Sequence, residues 1–308
     1  MDQPDSFAPE YGVSEQIAPM LRRIVAPNPS PMTYRGTNTY LLGNRGIAVI
    51  DPGPDNPKHL QSILQAIEPG QFVSHILVTH THLDHSPLSR SLSEACDVPI
   101  YGYGPATAGR SSVMTRLVQS GLSGGGEGVD ASFLPDRRVA DGDVIQGDNW
   151  QLRVIHTPGH IGNHICLQWE DSCFTADHVM GWASSLVSPP DGDLTDFMAS
   201  CNKLMQQQWR VFFPGHGAPI TAPDARLEWL VKHRQNREIA ILSELSTGPL
   251  SVQELTLRVY QDTPRRLIPA AERNVLAHLI DLSGKSLIRH RGIFSEQSVF
   301  DIVQRSEE

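Results

Sequence analysis

The sequence predicts an α/β (α+β) protein in which two β-sheets are sandwiched between helices, with a smaller helical module after them. Short apolar strands followed by helical patterns occur twice along one continuous stretch, which is typical of a layered α/β architecture. The 308 residues, 39% of them hydrophobic and 19% charged, are enough for one large and one small globular domain.

The first set of strands and helices lies within the first hundred residues. Strands are predicted at residues 37–43, 47–53 and 75–80. Helices are predicted at residues 57–70 and from Ser86 to about residue 96. Ser86 and Pro87 are residue types preferred at the N-cap and at the first position of a helix. The run 75–80 is short and mostly apolar, as expected of a strand that is buried on both faces.

The second set follows a glycine-rich stretch at residues 120–130. That stretch lacks the Gly-Lys-Ser/Thr ending of a phosphate-binding loop, and we interpret it as a surface loop. Strand-rich regions are predicted at residues 143–159, 164–177 and 209–217. A helix over residues 195–208 lies between the last two regions, and either Asp193 or Thr195 can cap it.

The tail has the outline of a winged-helix module. A long helical pattern begins at residue 224 and ends near residue 246, and a helix, a second helix and a pair of short strands follow it. We therefore divide the chain into a catalytic domain, residues 1–223, and a linker helix with a winged-helix domain, residues 224–308. Residues 1–224 carry 13 Lys and Arg against 23 Asp and Glu, whereas residues 225–308 carry 12 against 11. An acidic catalytic half disfavours a polyanionic substrate.

Three histidines and an aspartate lie within six positions, directly after the apolar run at residues 75–78: His80, His82, Asp84 and His85. The carboxyl edge of a sheet is where open α/β proteins bind ligands. Imidazole nitrogens and carboxylate oxygens are the ligands that zinc and related ions prefer. A catalytic zinc ion needs three protein ligands and an open position, so four candidates exceed the need of one ion. The pattern predicts a centre with two metal ions.

Other predicted strands also end in a histidine or an aspartate. His160 and His216 each follow a Pro-Gly turn after a strand, in TPGH and PGHG, and Asp177 ends the strand in FTAD. An isolated histidine is more often an ordinary surface or core residue than a ligand. Several strand ends that each deliver such a residue predict one shared site.

The motifs THTHLDH, TPGH, TAD and PGHG, in this order over residues of about 20–220, resemble the metallo-β-lactamase superfamily. The resemblance implies an αββα sandwich with the site at one edge of the two sheets. It implies that His80, His82 and His160 hold one ion, that Asp84, His85 and His216 hold the second, and that Asp177 bridges both. The chain departs from the family pattern at two places. Ala176 stands before Asp177, where the family commonly has glycine, and Ser86-Pro87 follow the His80–His85 motif, where the family often has glycines.

The tail, together with GTNTYLLG and HRQNRE, resembles the subgroup typified by β-lactamase-like protein 2, an endoribonuclease. This likeness leaves two enzymatic hypotheses. The first is a hydrolase of a small ester, thioester (hydroxyacylglutathione-like) or lactone. The second is an endoribonuclease that acts on single-stranded RNA. The arginines of the tail would then bind the backbone phosphates: Arg265, Arg266, Arg273, Arg289 and Arg291. A third, non-enzymatic hypothesis is a winged-helix nucleic-acid-binding protein.

In both enzymatic hypotheses a hydroxide that bridges two divalent ions is the nucleophile, because two cations lower the pKa of a shared water. Asp84 is the predicted catalytic residue, which orients that hydroxide or passes a proton to the leaving group. Zinc is the expected metal because the ligands are rich in histidine, although manganese and iron also suit a mixed His/Asp site.

Five further residues are predicted to support the ligands or to contact substrate: Asp51, His164, Trp182, Ser184 and Ser185. Asp51 ends a strand beside the site and can accept a bond from the second nitrogen of a ligating imidazole; the alternative is a turn former in DPG. His164 either faces the substrate or is a surface histidine. The other three lie in a loop, residues 180–193, that leaves Asp177 and is expected to line the pocket mouth.

The N-terminal residues show no secretory signal pattern, and no apolar run approaches the length of a membrane span. We therefore expect a cytoplasmic protein that does not bind membranes. Its expected partner is a small-molecule substrate, RNA is the alternative, and a homodimer is compatible with the sequence.

Overall fold

The computed structural model describes residues 7–122, 128–290, 294–295 and 297–303. Part of the glycine-rich stretch and Arg291 therefore lie outside the described residues. The first sheet has seven strands whose spatial order follows the chain: β1 (Glu15–Ala18), β2 (Leu21–Val25), β3 (Asn38–Leu42), β4 (Gly46–Ile50), β5 (Phe72–Leu77), β6 (Ile100–Gly102) and β7 (Arg137–Arg138). The helices between these strands are α1 (Pro57–Gln65), α2 (Leu88–Cys96) and α3 (Ser112–Gln119).

The second sheet has five strands, whose spatial order also follows the chain. They are β8 (Val144–Gln146), β9 (Gln151–His156), β10 (Ile165–Trp169), β11 (Ser172–Ala176) and β12 (Val211–Pro214), and the sheet runs from β12 to β8. The helix α4 (Leu194–Leu204) connects β11 to β12, which pair in parallel. The loop between β11 and α4, residues 177–193, carries most of the predicted substrate contacts.

Three apolar clusters show the layers of this part of the chain. The inner faces of the two sheets pack together through Leu42, Ile50 and Phe174. On the outer face of the first sheet, Leu41 belongs to a cluster that includes Ile63 of α1 and buried leucines of α2. The outer face of the second sheet packs on α4 and on the long helix of the tail. The architecture is a helix–sheet–sheet–helix sandwich, as predicted.

The described residues of the tail form three α-helices, one short 3₁₀ helix at Arg265–Leu267 and a small sheet. The α-helices are α5 (Pro223–Leu245), α6 (Val252–Val259) and α7 (Ile268–Gly284), and the strands are β13 (Leu250–Ser251), β14 (Ile288–His290) and β15 (Val299–Ile302), which are ordered β13-β15-β14. A winged-helix domain follows α5, as predicted. Its apolar core also includes Met114 and Leu122, which come from α3 and the residues after it. The helix α5 begins at Pro223, and the division of the chain after that residue stays a prediction.

Three local predictions were wrong. The strand predicted at residues 75–80 spans Phe72–Leu77 instead, and its first residue is exposed, so His80 lies in the loop after the strand. The first helix ends at Gln65 rather than near Gly70, because Pro69 lacks an amide donor and disfavours a helical residue before it. Ser86 does not cap α2, whose N-cap position is Pro87 without a side-chain bond. The Ser86 hydroxyl instead donates to Asp130 Oδ2 (2.8 Å), so it ties the helix start to the loop before β7.

Among the described residues, no helix combines the length and apolarity that crossing a bilayer requires.

The cap of α4 produces a testable dependence of stability on pH. Asp193 accepts bonds from the amides of Thr195 and Asp196, at 2.9 and 3.4 Å. Burial, together with the charge of Asp193, raises the pKa of Asp196 to about 6. The folded state thus binds this proton more tightly than the unfolded chain, whose carboxyl pKa is about 3.9. The free energy of unfolding therefore falls as the pH rises from about 4 to about 6.

We expect Asp196→Asn to raise the melting temperature near neutral pH by about 1–2 °C, which corresponds to about 1 kcal/mol after allowance for the partial exposure of this side chain. The gain should vanish near pH 4. There the wild-type carboxyl is already protonated in the folded state, so its burial no longer penalises a charge. Thermal denaturation followed by circular dichroism at both pH values measures the effect. An equal gain at the two pH values would show that the charge is not its cause.

Candidate metal centre

The loop after β5 forms a tight turn at the carboxyl edge of the first sheet. The amide of Thr79 donates to Asp51 Oδ1 (2.8 Å), which joins the loop to the end of β4. The amides of His85 and Ser86 both donate to the carbonyl oxygen of His82, at 2.9 and 3.0 Å. This turn reverses the chain within the motif, so that its four polar side chains converge with those from the ends of β9, β11 and β12.

Three histidine nitrogens and one carboxylate form a first cluster. His82 Nδ1 lies 3.0 Å from His80 Nε2 and 2.9 Å from His160 Nε2. Asp177 Oδ2 lies 3.7 Å from His160 Nε2. The ligand nitrogens of a tetrahedral zinc ion, each about 2.0–2.1 Å from the metal, are about 3.3 Å apart. The separations in this cluster are close to that value.

Two carboxylates and two histidines form a second cluster beside the first. Asp84 Oδ2 lies 3.1 Å from His216 Nε2 and 3.3 Å from His85 Nε2. Asp177 Oδ1 lies 3.3 and 3.4 Å from the same two nitrogens. The two oxygens of Asp177 therefore face different clusters. Within each cluster, the potential ligand atoms all lie within 4.8 Å of one another.

Burial and charge determine the protonation of these groups. Burial lowers the pKa of His80 well below its ordinary value and lowers that of His82 to about 3, so both rings are neutral at neutral pH. Burial also lowers the pKa of His216, but Asp177 and Asp84 outweigh it and raise that pKa to about 10. Burial raises the pKa of Asp177, but His216 and His85 outweigh it and hold that pKa well below the ordinary value.

Several polar atoms at the centre lack other partners. Among the described residues, His85 Nε2, Asp177 Oδ1 and His216 Nε2 are buried without a hydrogen-bond partner. Their nearest charged neighbours are one another and Asp84, at 3.1–3.4 Å. Imidazole nitrogens and carboxylate oxygens that converge in this way are a donor set that divalent cations prefer. The residues present therefore fit a centre of two metal ions.

A second layer of contacts orients these side chains. Asp51 Oδ2 accepts a bond from Thr79 Oγ1 (2.7 Å) and lies 2.9 Å from His85 Nδ1, so it fixes the ring of His85. His216 Nδ1 donates to the carbonyl oxygen of Gly36 (3.1 Å), and His160 Nδ1 donates to that of Leu186 (2.7 Å). Such bonds set the tautomer and the direction of a ligating ring.

The loop before β3 also contributes to the centre, which the sequence did not predict. Besides the carbonyl of Gly36, this loop supplies Thr37, whose Oγ1 donates to Asp84 Oδ2 (3.3 Å). Tyr34, in the same loop, stacks on Trp182 with ring centroids 4.9 Å apart. No local pattern in the sequence indicates that this loop reaches the site, because the contacts join residues that are distant along the chain.

The remaining predicted residues differ in their burial and contacts. Trp182 and Ser184 are half-buried in the loop after Asp177, and Trp182 meets Tyr34 beside the site. His164 is buried and pairs through Nδ1 with Thr157 Oγ1 (2.9 Å), with its ring 5.1 Å from that of His80. Ser185 is buried, and its hydroxyl donates to the carbonyl oxygens of Asp177 and His178. The predicted substrate contact at Ser185 was wrong, because its hydroxyl bonds the backbone.

Comparisons with known proteins agree with this arrangement. A family model described as the metallo-beta-lactamase superfamily matches residues 32–216, and one described as a beta-lactamase associated winged helix domain matches residues 251–295. The chain is 31% identical over 281 residues to the beta-lactamase-like protein 2 homolog of Drosophila melanogaster, covering 87% of this chain and 89% of that one.

Two more distant comparisons extend the likeness. The atrochrysone carboxyl ACP thioesterase of Aspergillus fumigatus is 28% identical over 245 residues, which cover 77% of this chain and 68% of that protein. The crystal structure of a beta-lactamase domain protein from Burkholderia ambifaria has a TM-score of 0.80 at 21% identity. It covers 98% of this chain and 97% of its own, and it shows a shared fold.

Proposed function

Because the chain belongs to the metallo-β-lactamase superfamily, whose members are hydrolases, we propose that it hydrolyses a small thioester or ester with the help of two bound divalent metal ions. The observation that carries this proposal is the position of Asp177, whose Oδ2 faces His160 and whose Oδ1 faces His85 and His216. A carboxylate shared in this way suits two ions that lie side by side, with His80, His82 and His160 on one ion and Asp84, His85 and His216 on the other.

Two ions held there would supply a water of near-neutral pKa and would polarise the oxygen of the bond that is cleaved. The side chains of the protein then have distinct tasks. The side chain of Asp84 is 24% exposed, compared with 9% for Asp177, so Asp84 is the carboxylate that substrate can reach. We assign to Asp84 the orientation of the attacking water and the transfer of a proton to the leaving group. Thr37 Oγ1 restricts its motion.

The choice of metal follows from the ligands. Five of the seven potential ligands are imidazoles, and zinc prefers such nitrogen ligands to a greater degree than magnesium or calcium does. We therefore propose zinc, with manganese and iron as the alternatives that the same mixed donor set would accept.

Two observations support a thioester or ester over RNA. One relative of this chain is named as a thioesterase. Residues 1–224, which contain the centre, carry 13 basic against 23 acidic side chains, and this excess of negative charge opposes a polyanion. The second candidate, an endoribonuclease, is favoured by Arg273, which donates to Ser188 Oγ (3.0 Å) in the loop that leaves the centre. Exposed Arg265 and Arg266 lie on the same domain.

A parallel assay on a glutathione thioester and on single-stranded RNA tests both candidates. We expect the zinc-loaded wild type to hydrolyse the thioester, and we expect Asp84→Ala to lower kcat by roughly 100-fold or more, because general acid–base groups contribute about 10²–10⁴-fold. Asp97→Asn is the control, since Asp97 is exposed at the end of α2, in a left-handed conformation that asparagine tolerates.

Cleavage of RNA alone, lost in Asp84→Ala, would establish the nuclease instead. RNA binding that weakens steeply with salt but causes no cleavage, combined with no thioester turnover, would leave the non-enzymatic interpretation of the winged helix.

A further inference from the structure

The loop between β11 and α4 contains three consecutive residues, 185–187, whose backbone groups bond in two directions. The carbonyl oxygen of Leu186 accepts the bond from His160 Nδ1 (2.7 Å). The carbonyl oxygen of Ser185 and the amide of Val187 instead bond to side chains of the tail. We call residues 185–187 the support segment, because it lies between a potential metal ligand and the winged-helix part of the chain.

Arg234 of α5 is the first side chain that holds the support segment. It is 2% exposed, and its guanidinium donates to the carbonyl oxygen of Ser185 and to Asn274 Oδ1 (2.9 Å). It also lies over the ring of Phe197, 5.2 Å from the centroid. No ion pair joins it to a carboxylate within the part of the chain that the structure describes. A buried cation held mainly by neutral acceptors is costly, so these acceptors determine where the guanidinium lies.

Asn274 of α7 is the second side chain. Its Oδ1 accepts bonds from the Val187 amide (3.2 Å) and from Arg234 (2.9 Å), while its Nδ2 donates to the carbonyl oxygen of Ala270 (3.2 Å). One amide group thus joins the support segment, the linker helix and the winged-helix domain. The winged helix therefore reaches the loop that orients His160.

The same segment also reaches Asp177. The hydroxyl of Ser185 donates to the carbonyl oxygens of Asp177 and His178, which fixes the chain immediately after β11. A shift of Ser185 would therefore disturb Asp177, and a shift of Leu186 would release the ring of His160. Asp177 and His160 both belong to the cluster that includes His80 and His82.

We propose that Arg234 and Asn274 are positioning residues for the metal centre, through which the winged-helix part of the chain sets the affinity of the cluster formed by His80, His82, His160 and Asp177. This inference rests on the proposed function, since it requires that the centre bind metal. The tail is then part of the metal-binding apparatus, whatever else it binds.

Zinc affinity of the metal-free full-length protein, measured by competition with a chromophoric chelator, tests the inference without an activity assay. We expect Arg234→Met to bind one equivalent with wild-type affinity and the other about 10-fold more weakly, because partners behind metal ligands typically contribute 10–100-fold. Methionine fills a similar volume without charge, so the fold should survive. Asn274→Ala, a smaller change, should weaken the same equivalent in the same direction.

Thr195→Val is the matched control. It removes the bond from Thr195 Oγ1 to Asp281 Oδ1 (2.7 Å), which also joins the sandwich to α7 but does not touch the support segment. We expect this variant to keep both wild-type affinities even if its melting temperature falls. Equal weakening in Thr195→Val would mean that α7 acts through general packing, and this would overturn the inference.

The outcomes separate the inference from the proposed function. If the wild type bound no zinc, both would fail. If the wild type bound two equivalents and if folded Arg234→Met and Asn274→Ala bound them equally tightly, the inference alone would be overturned.

Discussion

Asp177→Asn should abolish hydrolysis, with a fall in kcat/KM of roughly a thousandfold or more. An amide cannot offer two charged oxygens to neighbouring ions, and the several kcal/mol of transition-state stabilisation that such ions contribute corresponds to this factor. The loss should extend to metal content, because Asp177 belongs to both clusters. Zinc per chain, measured by atomic emission after dialysis, should fall together with activity.

The same chemical change at Asp97 is the control, since that exposed carboxylate lies at the end of α2. Asp97→Asn should keep wild-type zinc content and turnover. A fully active Asp177→Asn variant with two zinc ions would contradict the shared-ligand assignment of Asp177, and with it the arrangement of the two clusters.

Gly215→Ala should displace Asp177 without removing any ligand. A Cβ atom at position 215 would lie 2.4 Å from Asp177 Oδ1 and 2.8 Å from His85 Cε1, both closer than van der Waals contact allows. The backbone cannot yield easily, because its amide donates to the carbonyl oxygen of Ala176 (2.9 Å) and its carbonyl oxygen accepts from the Asn38 amide (2.7 Å). Asp177 and His85 must therefore move.

We expect this added methyl to lower kcat/KM by about 100-fold, the typical cost of a 1 Å misplacement, and to lower the free energy of unfolding by about 1–3 kcal/mol. Steady-state kinetics and denaturant unfolding measure the two effects. Gly284→Ala is the control, because nothing lies within 4 Å of a Cβ at that helical position. That variant should be fully active and slightly more stable. Wild-type kinetics in Gly215→Ala would show that Asp177 tolerates displacement.

The sequence was most informative where function depends on a short local pattern. The motif from His80 to His85 begins shortly after the end of β5, so its place at a sheet edge could be predicted from the residues alone. His160, Asp177 and His216 each lie shortly after the end of a strand. The ends of β5, β9, β11 and β12 meet, and this meeting is a property of the layered fold that the alternation of strands and helices already indicates.

Long-range contacts could not be predicted in the same way. Nothing local in the segment around Thr37 shows that its hydroxyl meets Asp84, because the contact depends on how two separate loops cross. Ser86 was misjudged for a related reason: its residue type suits an N-cap, but Asp130 offered a competing acceptor. Ser185 looked like a pocket residue in a loop, yet the backbone carbonyls of Asp177 and His178 engage its hydroxyl.

The participation of α3 in the core of the tail limits how modular this protein can be. Met114 and Leu122 are buried among side chains of the winged-helix domain, such as Leu255 and Leu279. A polypeptide that stopped after residue 223 would leave those two side chains facing water, together with the surface of α4 that packs on α5 and α7. A foreign domain could replace the tail only if it matched both apolar surfaces. The two parts therefore bury each other's apolar surfaces and are not independent domains connected only by a linker.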